Sequence, residues 1–167
     1  MDLNEFLVDQ ISSKQKGNIT ENRVVELITL GSKGRLTCYT PNSDDDGIDI
    51  IVNQKGQFKS LYIQVKSRYT LNKANQFIQN VGLSTFNIDV NFYIIFVYFN
   101  PNTLEIESLW FVPSVEFKDN SYLKKAGDTY KPFYRFSANP RVSLDKWEQY
   151  KVHKTQLGMT ILEMLLT

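Results

Sequence analysis

The stretch from Asp44 to Arg68 constrains the fold of this chain more than any other. Three carboxylates, Asp44, Asp45 and Asp46, precede Gly47-Ile48-Asp49-Ile50-Ile51-Val52. A turn-forming segment, Asn53 to Gln57, then leads to Ser60-Leu61-Tyr62-Ile63-Gln64-Val65-Lys66-Ser67-Arg68. Both apolar runs are short, β-branched and bounded by turn residues, which predicts two strands joined as a hairpin. Side chains alternate along a strand, so Leu61, Ile63 and Val65 share one face, and Tyr62, Gln64, Lys66 and Arg68 the other. Asp49 stands between two isoleucines. An ionised carboxylate there needs a cation or a metal, because burying it unpaired is costly.

The flanking segments predict an α/β protein. A helix is expected over 19–30, with Asn18 as N-cap, Gly31 as stop and Val24, Val25, Leu27 and Ile28 as its buried face. Glu21 lies four residues before Val25, on part of that face. It also lies three residues after Asn18, the spacing of a helix-capping pair, so a capping role is the plain alternative. A short helix over 3–12, a linker over 12–17 and a first strand over 35–40 complete the N-terminal part. After the hairpin, Leu71, Ala74, Phe77 and Ile78 predict a helix over 70–81. Residues 91–99 are nearly all apolar, as in a central strand covered on both faces. A strand over 104–112, an irregular segment over 114–132, an edge strand over 133–137, a short capped helix over 143–150 and an apolar helix over 155–166 follow.

The order of Glu helix, Asp strand and Gln-x-Lys strand resembles the PD-(D/E)xK nuclease superfamily of restriction endonucleases and Holliday-junction resolvases. The wording Gly47-Ile48-Asp49-Ile50 and Gln64-Val65-Lys66 is most like its Mrr-type branch, and Gly17 and Glu21 match the spacing of the family's helix acid. The resemblance implies a restriction-endonuclease-like core ordered α-β-β-β-α-β, with a mixed central sheet flanked by helices, an extra strand and a C-terminal helix. The length, 167 residues, suits one domain over 1–167; the resemblance places the core in 17–98 and leaves 104–167 as an elaboration packed on it. It further implies a metal-dependent endonuclease acting on duplex or branched DNA, working as a homodimer. Glu21, Asp49, Gln64 and Lys66 would be catalytic, and Asp49, Glu21, Gln64 and the Val65 carbonyl would hold Mg²⁺ or Mn²⁺, a hard cation preferring oxygen ligands. Gln64 stands where the family more often has Asp or Glu, and so brings less charge to a metal. The alternative is a nuclease-like fold without catalysis, binding nucleic acid or a protein partner.

Charge bears on that choice. With 19 Lys and Arg against 18 Asp and Glu, the net charge is +1, so nucleic-acid contact must come from a local patch. No Asp or Glu occurs between Ile50 and Ile88, whereas Lys55, Lys59, Lys66, Arg68 and Lys73 do, and Lys33 and Arg35 follow the Glu21 helix. Lys33, Arg35, Arg68 and Lys73 are the candidates for phosphate contact. The single cysteine, Cys38, rules out an intrachain disulfide and fits a reducing cytoplasm. The acidic residues among the first nine argue against a secretory signal, and no apolar run is long enough to span a bilayer. Asn42 to Asn53 lacks the closing glutamate of a calcium-binding loop, and His153 reads as a surface or capping residue.

Overall fold

The computed structural model describes residues 10–43 and 46–167. The helix expected over 3–12 lies outside these residues except for its last three, and Asp44 and Asp45 lie outside them altogether. Helix α1 (Ser13–Gly31) begins earlier than expected, because Ser12 rather than Asn18 is its N-cap. The Ser12 hydroxyl accepts from the Gln15 amide at 3.1 Å while the Gln15 side chain accepts from the Ser12 amide at 3.0 Å, a reciprocal capping box. The supposed linker is therefore the first turn of a 19-residue helix.

Strands β1 (Leu36–Tyr39), β2 (Ile50–Gln54) and β3 (Ser60–Arg68) follow as an antiparallel meander, with the expected hairpin between β2 and β3. After β4 (Phe77–Gly82) come β5 (Phe92–Asn100) and β6 (Glu105–Pro113). β5 joins β3 in parallel, with Lys66 opposite Phe96, and β6 pairs with β5 in the antiparallel sense. The remaining elements are α2 (Ser114–Asn120), β7 (Tyr122–Lys124), β8 (Phe133–Ala138), β9 (Lys151–Val152) and α3 (Leu157–Leu166). A six-stranded mixed sheet runs in the order β1-β2-β3-β5-β6-β9, and a second sheet in the order β4-β8-β7. The α/β class with a mixed central sheet stands.

Three local expectations are corrected. Residues 70–81 form no helix: the order α-β-β-β-α-β is broken at its fifth element by a loop and by β4. The Asn72 side chain accepts from the amides of Ala74 and Gln76 at 2.9 and 2.8 Å, and Asn75 takes φ 57°, which ties the loop down against helix formation. Phe77 and Val81 are both fully buried, and a spacing of four suits a helix face or alternate positions of a strand equally well. The strand expected at an edge, β8, is central in its sheet, between β4 and β7. The helix expected over 143–150 shrinks to a 3₁₀ turn, Glu148–Tyr150, because the Asp145 carboxylate is held by the amides of Asn139 and Trp147.

The large sheet is covered on both faces. Alternate residues of β5, Tyr93, Ile95, Val97 and Phe99, pack with α1 and α3, while Phe92, Ile94, Phe96 and Tyr98 pack against the small sheet and α2. In that second layer Phe96 and Phe136 stack with centroids 3.9 Å apart. α3 meets α1 where Gly31 and Gly158 bring two backbones together: a Cβ on Gly158 would fall 2.5 Å from the Ser32 amide nitrogen. No helix among the described residues is long and apolar enough to cross a membrane.

Candidate functional site

The first half of α1 presents Ser13, Lys14, Gly17, Asn18 and Glu21 to one side, as helical spacing requires. That side faces Thr40, Pro41 and Ser43 after β1, and Ile48 and Asp49 before β2, across an open cleft of about 730 Å³. Glu21 and Asp49 thus line one cleft, joined by Lys14. With Ser12 as the cap, Asn18 and Glu21 lie inside the helix, which removes the capping role as the alternative for Glu21.

Asp49 is fixed by the point at which β2 leaves β3. Ile50 pairs with Ile63, so continued pairing would set residue 48 against Val65. Instead the chain bends away at Gly47, φ 68°, and the Val65 amide donates to the Asp49 carboxylate at 2.6 Å. Without that acceptor a part-buried amide would go unsatisfied, at about 1–3 kcal/mol. The bond ties Asp49 to the residue between Gln64 and Lys66.

Gln64 is 2% exposed and on the other face of β3, with Tyr62 and Lys66. Its amide nitrogen donates to the Thr85 carbonyl at 3.3 Å, and its buried Oε1 has no hydrogen-bond partner among the described residues. Gly47 makes room for this arrangement: a Cβ there would lie 2.2 Å from the Thr85 carbonyl oxygen and 2.7 Å from the Gln64 amide nitrogen. Lys66 is half-buried and makes no ion pair among the described residues. Gln64 and Lys66 do not line the Glu21–Asp49 cleft, so the four candidates approach from the two faces of β3, with Asp49 at the parting of β2 and β3 between them.

The basic candidates separate. Lys33 and Arg35 lie beyond the C-terminal end of α1, beside the tip of the β2–β3 hairpin, where the Lys55 amide donates to the Arg35 carbonyl. Lys33 stands twelve positions after Glu21 along helix and turn, on the order of 15–18 Å of rise. Arg68 lies two residues beyond Lys66 on β3, and Lys73 is exposed in the Asn72 loop. The contact between Thr85 and Gln64 spans 21 residues and carries no sequence signal, although Gly47 ahead of Asp49 is its visible trace. Among the described residues no three His, Cys, Asp or Glu side chains cluster closely enough to hold a metal ion.

The architecture is a mixed α/β fold in which a helix-borne acid and an aspartate just ahead of β2, where the sequence predicts strand, line one cleft at the open end of a hairpin. The same fold is found in the solved structure of a bacterial homing endonuclease, I-Ssp6803I, with a TM-score of 0.60 and 17% identity over 93% of this chain and 94% of that chain. No family model and no curated protein sequence matches the chain.

Proposed function

We propose that the protein is a metal-dependent deoxyribonuclease that hydrolyses phosphodiester bonds in DNA. The observation that carries this reading is the convergence of Glu21 and Asp49 on one cleft, with Asp49 tied to the backbone between Gln64 and Lys66. A likeness in fold to a homing endonuclease is in keeping with it.

The residues suit a hard divalent cation. Two carboxylates and an orphaned buried amide oxygen, Gln64 Oε1, are all oxygen donors, as Mg²⁺ or Mn²⁺ requires. Asp49, Glu21 and the Val65 carbonyl would hold the ion from the cleft side, and Gln64 would have to turn its oxygen toward the open end of β2 to join them. Bound there, it would supply a more acidic water and neutralise charge on the scissile phosphate. Asp49 is pre-positioned for that role by its bond from the Val65 amide. Gly47 keeps the space that lets Gln64 stand buried with its oxygen unengaged. Lys66, on its flexible four-carbon stem, must reach round the open end of β2 to a non-bridging phosphate oxygen, where negative charge grows in the transition state.

The test is incubation with plasmid, branched and single-stranded DNA plus Mg²⁺ or Mn²⁺. Cleavage by the wild type should fall by about two orders of magnitude or more in Asp49→Ala and Lys66→Ala, a loss of the size seen when transition-state charge stabilisation is removed. No cleavage by the wild type, or undiminished cleavage by Lys66→Ala, would remove the proposal. A second reading is a nuclease fold that binds DNA without cutting it, favoured by an amide at position 64 where a carboxylate would bind metal more strongly. Metal-independent DNA binding that survives Asp49→Ala, with no cleavage, selects it.

A further inference from the structure

Outside the cleft, the small sheet carries basic but no acidic side chains. β4, β7 and β8 contain no acidic residue, and β8 contributes Arg135, exposed at the centre of the sheet's outer side. Arg135 and Arg68 face one shallow hollow of about 330 Å³, which Thr70, Asn72, Gln76 and Asn80 also line. Among the described residues both guanidinium groups are held by Nε alone: Arg68 Nε donates to the Ile78 carbonyl at 3.1 Å, and Arg135 Nε donates to Asn80 Oδ1 at 3.1 Å. The Phe133 ring supports Arg135, whose guanidinium carbon lies 5.5 Å from the ring centroid. Neither arginine has a carboxylate partner among the described residues.

Two oriented guanidiniums with uncommitted terminal nitrogens, among neutral hydrogen-bonding side chains, form an arrangement complementary to a phosphodiester. Surface arginines in other circumstances are commonly neutralised by a neighbouring carboxylate, and none lines this hollow or the adjoining one, which contains Lys16, Arg68, Thr70 and Gln79. The position relative to Lys66 also fits. Arg68 leaves the same face of β3 two residues on, roughly 7 Å along the strand. That is the scale of a step between neighbouring phosphates on one nucleic-acid strand. We infer that the hollow between Arg68 and Arg135 holds a backbone phosphate of duplex DNA beside the one presented to Lys66. The inference deepens the nuclease reading in its placement next to Lys66, but the binding it asserts does not require cleavage.

The experiment measures binding of the full chain to two labelled duplexes of unrelated sequence, in EDTA, by fluorescence anisotropy over a range of KCl concentrations. Arg135→Ala and Arg68→Ala should each weaken binding several-fold, equally on both duplexes, and each should lower the slope of log K against log salt by about 1. Arg135→Lys should retain the wild-type slope while losing part of the affinity, because the charge stays and the planar fork goes. Unchanged affinity and slope in both alanine variants, with far-UV circular dichroism like the wild type, would overturn the inference even where the wild type cleaves DNA. A loss confined to one duplex would also overturn it, by pointing to base reading in place of a phosphate. If the wild type binds through these arginines but cuts nothing with Mg²⁺ or Mn²⁺, the nuclease reading fails and the phosphate site stands. If the wild type binds no duplex at low salt, both fall.

Discussion

Gln64 is a buried amide with one end engaged and the other idle, and its chemistry is legible only in part from the sequence. Alternation along β3 is enough to set Gln64 beside Lys66 and opposite Val65, and the structure agrees. The Thr85 carbonyl that takes the amide nitrogen could not be foreseen, because a backbone acceptor 21 residues away has no residue-type signature. That contact makes a prediction possible. Gln64→Glu replaces an N–H donor with a second acceptor facing the Thr85 carbonyl, which should cost about 1–3 kcal/mol without metal. A cation held by Asp49 and the new carboxylate would offset the cost. Thermal unfolding should therefore show a lowered midpoint in EDTA and a larger rise on adding Mg²⁺ than the wild type shows. Equal responses to Mg²⁺ in the two proteins would argue against an ion at this position.

Among the elements, α1 and β4 teach opposite lessons. The buried face of α1 was readable because Val24 and Ile28 fall on a helical stripe with no competing period, and both are fully buried. Its start was not, since Ser12 and Gln15 form a stronger cap than Asn18 and recruit the supposed linker. In β4 the spacing of Phe77 and Val81 was ambiguous, and the loop chemistry of Asn72 decided for a strand. The packing of α3 on α1 rests on Gly158, whose Cβ, if present, would meet Ser32, Gly31 and Ile28 backbone atoms at 2.5–2.6 Å. On an open helix surface, Gly→Ala stabilises by up to about 1 kcal/mol. Here the overlap is with backbone, so Gly158→Ala should destabilise instead, by roughly 1–3 kcal/mol. Urea unfolding measures it, and a midpoint equal to or above the wild type would mean the helices separate at little cost.

At the scale of the whole molecule, the tyrosines of the core couple stability to alkaline pH. Burial pushes the phenols of Tyr69, Tyr93 and Tyr98 above their ordinary value of 10.0, with the Glu107 carboxylate adding to the effect at Tyr98. Because the folded-state values are raised, the unfolded chain gives up these protons first. The stabilisation is complete below pH 10.0 and is lost as pH rises through and beyond it. The urea midpoint should be level on the neutral side of that value and fall above it, and Tyr93→Phe should fall less steeply. A parallel fall in both proteins would remove Tyr93 from the account. The docking of α3 on α1 has a further consequence for the timing of maturation. Glu21 rides on a helix made early, whereas the apolar partner that clamps this helix is encoded far downstream. A nascent chain still threaded through the ribosome would carry both carboxylates without the support that sets their geometry. The final shape of the cleft therefore waits on a late docking event, even though Glu21 and Asp49 have both long since been synthesised.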